Sequence, residues 1–226
     1  MTLIRHLRQC PFQRSQGVFN PWQETDECHD GSAAAARIRR RQLRHYLITR
    51  QDRARFCLIG EALSYQGGHF SGIAMTSERI LLGYKIHDGI RPEDVLPGMK
   101  PCRTSRPDLK SKGFTENTAS IVWKTLKELS DRPTDYVLWN VFPWHPFDPR
   151  RGLLSNRLPT LKEIDVGTEL LNEFICLFPN AAVFAVGKIA SRSLTRLGIP
   201  HNVLRHPSMA GANTFRRQLK AAVKRP

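Results

Sequence analysis

The architecture of this chain is written most plainly in Arg55-Phe56-Cys57-Leu58-Ile59-Gly60-Glu61-Ala62-Leu63-Ser64-Tyr65. Phe56 to Ile59 is an unbroken apolar run with no polar alternation, so it reads as a strand buried on both faces. Strands of that kind belong to parallel sheets with helices on either side. The run stops at Gly60, and a carboxylate follows at once. Two later segments repeat the design. Tyr136-Val137-Leu138-Trp139 leads into Asn140-Val141-Phe142-Pro143, and Pro200-His201-Asn202-Val203-Leu204 leads into His206-Pro207-Ser208. Polar, Gly-rich residues at the carboxyl ends of several strands are where open α/β sheets hold a ligand.

Outward from these blocks the chain alternates strand and helix. Ser32 is a candidate cap for an arginine-rich helix running to about Arg50. Thr76 to Leu82 opens a helix. Residues 84–117 have no clear period and read as an irregular insertion. Thr118–Leu129 is a helix with Ile121, Val122, Leu126 and Leu129 on one side. Asp135–Val141 is the second strong strand, and residues 142–159 are a long loop. Thr160–Phe178 is an amphipathic helix, Ala181–Val186 a third buried strand, and Gly187 turns into a helix ending near Leu197-Gly198. Residues 201–204 make a short fourth strand, and Ala212–Arg225 a basic helix. This alternation predicts a three-layer α/β/α sandwich around a central, mostly parallel four-stranded sheet. Residues 1–31 mix Pro, Gln, Gly and charge and read as a loosely packed, basic and irregular arm. Residues 32–226 read as one domain.

With 226 residues, 40% of them hydrophobic, the chain can bury one sizeable core. Its 35 Lys and Arg against 20 Asp and Glu give a net charge of +15. That excess points to a polyanion, most simply nucleic acid, and less to an anionic membrane surface. Arg37, Arg39, Arg40, Arg41, Arg44 and Arg50 on the first helix suit either a solvated face or a phosphate-tracking one. They occupy several helical phases, so they cannot all meet one duplex. The five cysteines lie far apart with no C-x-x-C pair, which signals no metal centre and fits a reducing, cytoplasmic setting. No apolar stretch approaches a leader's core or a membrane span.

Each candidate site residue has a functional and a structural reading. Glu61 can position or deprotonate a water, or can simply order its loop through backbone N–H groups. Gly67 and Gly68 permit close backbone approach to a ligand. Asn140 offers the donor and acceptor needed to read an amide-like base edge, and equally suits a turn. His206, held extended before Pro207, can donate to an oxygen gaining negative charge, or can be a structural histidine. Phe70 or Tyr65 can stack on a base or plug the core.

Taken together, Gly60-Glu61-Ala62 with Phe70-Ser71-Gly72, Asn140-Val141-Phe142-Pro143 and His206-Pro207-Ser208 resemble the motifs of the uracil-DNA glycosylase superfamily. The likeness is closest to its thermophile-type branch, which carries an iron–sulfur cluster. Asn156-Arg157-Leu158-Pro159-Thr160 and Ala185-Val186-Gly187-Lys188 add to it, over roughly residues 54–220. The resemblance implies a monofunctional, monomeric DNA repair enzyme. It would flip uracil from single- or double-stranded DNA, hydrolyse the N-glycosidic bond, and leave free uracil and an abasic site. On that footing Glu61 holds the water or stabilises the sugar cation. Asn140 reads the base, and His206 stabilises the departing anion. Ser208, Met209 and the neighbouring Arg205 contact DNA. Ala62 stands where the most active members carry aspartate. Met75 stands where the branch has a stacking Phe, with Phe70 as a substitute. The cluster cysteines are absent, so no iron–sulfur centre or other cofactor is expected. A non-catalytic nucleic-acid binder and a glycosylase for other deaminated bases are the rival readings.

Overall fold

A computed structural model describes residues 2–223. In chain order the elements are α1 (Thr2–Leu7), β1 (Val18–Phe19), α2 (Ala35–Ile48), β2 (Phe56–Ala62), α3 (Gly68–Ser71), α4 (Glu78–Leu81), α5 (Pro92–Val95), α6 (Asn117–Leu129), β3 (Tyr136–Phe142), β4 (His145–Pro146), α7 (Leu161–Cys176), β5 (Ala182–Val186), α8 (Lys188–Arg196), β6 (Asn202–Leu204) and α9 (Ala212–Val223). The expected extension of the last helix to Arg225 lies outside the described residues.

Four parallel strands form the central sheet in the order β3-β2-β5-β6, with helices flanking it. This is the expected three-layer α/β/α arrangement. β3 is buried along its whole length, and β2 over its first five residues. That is why their sequences are continuous apolar runs rather than alternating ones. α7 approaches β3 closely because it carries Gly167, where a Cβ would stand 2.3 Å from the Val141 carbonyl oxygen. Beside that contact Trp139 stacks on Phe174 at 4.5 Å between centroids. The register aligns the strand ends: Gly60 lies opposite Asn140, and Val186 opposite Leu204. The residues that follow β2, β3 and β6 therefore emerge at one edge of the sheet.

Several boundaries differ from expectation. Ser32 does not cap α2, which begins at Ala35 after an uncapped Ala34. The helix opened at Thr76 is a single turn, because the chain bends at Gly83 into the insertion. The long loop after β3 holds β4, which pairs with β1.

That pairing belongs to a larger correction: the first 31 residues are not a loose arm. Leu3, Leu7, Val18, Phe19 and Trp22 are buried, at about 2 kcal/mol of apolar burial each. Trp144 donates its indole N–H to the Leu7 carbonyl at 2.8 Å, and Trp22 donates to that of Gly72. The segment is not basic either, since its three arginines, Arg5, Arg8 and Arg14, are outnumbered by four acids, Glu24, Asp26, Glu27 and Asp30.

Two arginines of the first helix region are structural. Arg39 is buried and ion-paired to Asp30. Arg50 is buried and donates to the carbonyls of Tyr136 at 2.7 Å and Asp94 at 3.1 Å. Tyr136 opens β3, so this end of α2 sits at the sheet edge opposite Asn140.

Candidate active site

At the carboxyl ends of the strands lies a cavity of about 480 Å³, lined among others by Glu61, Met75, Glu116, Asn140, His206 and Met209. Three side chains far apart in sequence thus share one concavity.

Asn140 is 2% exposed, and neither its Nδ2 nor its Oδ1 has a hydrogen-bond partner. A buried amide that leaves both groups unpaired costs stability, which marks it as kept for something other than folding. Gly60 makes its position possible: a Cβ there would fall 2.5 Å from Asn140 Oδ1 and 3.2 Å from Met75 Sδ. Met75 itself has φ of 47°, an uncommon conformation for a non-glycine residue.

His206 follows β6 and is half-buried. Its Nδ1 accepts the Ser208 backbone N–H at 3.2 Å and lies 2.7 Å from Ser208 Oγ. Because the backbone amide can only donate, Nδ1 is unprotonated in this arrangement, and the neutral ring carries its proton on Nε2. Burial, with a smaller contribution from the Arg205 charge, lowers its pKa below the usual imidazole value. The ring packs against Gly187, which has φ of 96° and whose Cβ would lie 3.4 Å from that of His206. The turn after it is tight: Met209 and Ala210 both have positive φ, and a Cβ on Gly211 would strike the His206 carbonyl at 2.0 Å. Met209 is held out at 89% exposure.

Glu61 is half-buried near the end of β2, and burial raises its pKa. Asn156 straps the loop beyond it, with Oδ1 accepting from the Tyr65 N–H at 3.0 Å and Nδ2 donating to Ser64 Oγ at 3.3 Å. Arg157, also on the cavity wall, is fully occupied by Glu163 at 2.6 and 2.7 Å and by the Gly17 and Phe147 carbonyls. Glu163 in turn completes a capping box with Thr160 at the start of α7.

Other expected site residues lie elsewhere. Phe70 is fully buried, stacked on Phe114 at 4.0 Å, and is a core plug rather than a stacking platform. Tyr65 lines a separate depression with Arg79, Lys110 and Phe114. Gly67 and Gly68 are buried, so they are not open to DNA. They make room for Glu116 and Leu63, whose side-chain atoms would stand 2.0 and 2.1 Å from a Cβ at each. Arg205 is exposed outside the cavity, beside the histidine it influences. Ser208 and Met209 are on the wall.

Sequence reasoning missed Glu116. It precedes α6 yet makes no side-chain cap, and its Oε2 is sealed from solvent without a partner. Burial alone pushes its pKa up to about 7. An acid immediately before an amphipathic helix reads as a routine helix start, so only an uncapped geometry distinguishes it.

The thiols do not fit an iron–sulfur cluster. Cys57 is inside β2, Cys28 and Cys176 are exposed on separate segments, and Cys102 lies beside Arg41. Among the described residues no three His, Cys, Asp or Glu side chains are grouped to hold a metal.

Comparison with known proteins agrees with this geometry. No curated protein matches the chain. Twelve chains of solved structures do. One is the crystal structure of wild-type Pedobacter heparinus SMUG2, at 12% identity and a TM-score of 0.60, covering 98% of this chain and 95% of that one. At that identity the likeness is one of fold. The family described as the uracil DNA glycosylase superfamily matches residues 49–225, which holds every strand of the sheet and every side chain on the cavity wall, and the chain belongs to that superfamily.

Proposed function

We propose that this DNA glycosylase excises uracil, hydrolysing the N-glycosidic bond of a nucleotide extruded into the cavity. The carrying observation is the buried amide of Asn140 with both polar atoms free beside a space of nucleobase size. The uracil edge sets a carbonyl next to a ring N–H, and the amide answers with N–H and carbonyl in register.

Cleavage leaves negative charge on the base and positive charge on the sugar. The Nε2–H of His206 is a donor that needs no proton rearrangement before use, and its neutral state suits an anion that must leave. One such donor is worth about 3–4 kcal/mol. Glu61 is the remaining candidate for positioning water or for stabilising the sugar cation, and Ala62 supplies no second acid there. Met209, exposed on a tight turn, is placed to press into the gap left by the extruded nucleotide. Extrusion costs a few kcal/mol and least at mismatches, which favours U·G pairs and single strands.

The test is release of uracil from single-stranded and U·G oligonucleotides. Asn140→Ala and His206→Ala should each lower kcat/KM by about 10²–10³, while His206→Ala should also lose the decline in rate below the histidine pKa. Undiminished release by both variants would remove this assignment of the pocket. Oligonucleotides carrying hypoxanthine and xanthine, run alongside, separate this reading from a glycosylase for deaminated purines.

A further inference from the structure

Asn140 alone does not explain selectivity. Nothing in the protein fixes which way its amide points, because neither end is bonded. Rotated by half a turn, the same amide matches the amino and bare ring nitrogen of cytosine as well as it matches uracil. A second polar group on the same wall would add a contact with the base edge beyond the two that Asn140 offers. Glu116 is the group present. It ends the irregular 84–117 segment, reaches the wall that holds Asn140 and Met75, and occupies space left by the missing side chain of Gly67.

We infer that Glu116 is a base-contacting residue: its carboxyl group completes the reading of the extruded base by donating its O–H to a carbonyl oxygen of that base. This rests on the glycosylase reading of the cavity. The charged and titratable groups on the same wall are Glu61, Arg157 and His206. Arg157 is saturated by Glu163 and backbone carbonyls, so it does not offset a charge on Glu116. Glu61 would repel one. His206 is held neutral by the Ser208 amide. Burial places the Glu116 pKa at about 7, so the acid form is available at neutral pH, and an entering base would exclude more water and favour it further. The O–H finds no acceptor in the protein. A base carbonyl supplies one, whereas the carboxylate formed at higher pH would oppose that oxygen's lone pairs.

The experiment measures uracil release between pH 5.5 and 9 for wild type, Glu116→Gln, Glu116→Leu and Asn140→Ala. It also measures binding of each to DNA containing 2′-fluoro-2′-deoxyuridine, whose glycosidic bond resists cleavage. Wild type should lose activity as pH rises through about 7. Glu116→Gln keeps an N–H donor at every pH, so it should stay within about fivefold of wild type at pH 6.5 and lose the alkaline decline. Glu116→Leu should fall about 10- to 100-fold, the value of one buried hydrogen bond to the base. Release by Glu116→Leu at the wild-type level, an alkaline decline retained in Glu116→Gln, or equal loss in both variants would overturn the inference while the loss in Asn140→Ala still upheld the pocket. If wild type releases no base, the binding arm decides: affinity must drop at least about tenfold in Glu116→Leu and not in Glu116→Gln, and equal affinities would overturn it. Thermal melting of Glu116→Gln guards against a folding defect.

Discussion

At the residue scale the cavity is defined by polar groups that the fold leaves unsatisfied. Asn140, Glu116 and Glu61 each face a protein wall that offers them little, and each would be more stable bonded or replaced by an apolar group. Glu116 makes that cost measurable through pH. Its pKa in the folded chain, about 7, lies above its ordinary value of 4.5. The folded state therefore binds more protons than the unfolded state between those values. The favourable balance is complete below pH 4.5 and is lost as pH rises through about 7. Replacing Glu116 by Gln should accordingly stabilise the protein at pH 8 by about 2–3 kcal/mol relative to its effect at pH 4.5, read from urea unfolding at the two pH values. An equal effect at both would mean that the carboxyl is well solvated in the folded protein.

Among the elements, the short ladder of β1 and β4 owes its place to a buried polar chain. His145 Nε2 lies 2.8 Å from the Ser155 carbonyl, its Nδ1 3.0 Å from His69 Nδ1, and His69 Nε2 3.1 Å from Asp26 Oδ2. Both ends of this chain are acceptors, so three hydrogen bonds across four ring nitrogens need three protons. Making all three at once would charge one imidazole, with the Asp26 carboxylate as its counter-ion, but burial opposes this by pushing the pKa of His69 down to about 3 and that of His145 to about 4. Burial opposes the charge on Asp26 too, but its hydrogen bonds to His69 and His29 outweigh that and hold its pKa well below the usual carboxylate range. Phe19 stacks on His69 at 4.3 Å, which ties β1 to α3 and so to the loop after Glu61. Asp26→Asn should cost about 1–3 kcal/mol, because it weakens the buried acceptor of the His69, His29 and backbone N–H bonds. Chemical denaturation measures this, and a loss under about 1 kcal/mol would show that these bonds contribute little to the fold. Nothing in the sequence marks these residues, since they span positions 26 to 155 and none sits in a recognisable pattern.

Across the whole molecule the net charge of +15 sets the terms of DNA association. Arg39 and Arg50 are consumed inside the fold, so neither is available to track phosphates. Affinity for unmodified duplex should nonetheless fall at least about 10²-fold between 50 and 200 mM salt, on the counterion release expected of several phosphate contacts. Fluorescence anisotropy across that range checks it, and a flat profile would refute polyanion binding as the use of the charge. The strand–helix alternation, the parallel sheet and the meeting of residues 61, 140 and 206 at one edge were readable from the chain, because periodicity and strand-end chemistry are local signals. Residues 65, 67, 68 and 70 misled because closeness in sequence to Glu61 does not set which way a chain turns after Gly60. What the chain by itself determined was which elements form and which strand ends carry chemistry. Only the packed structure decided that the first 31 residues complete the core, that Phe70 lies within it, and that Glu116 enters the cavity, because burial and unpaired polar atoms arise from contacts between distant segments.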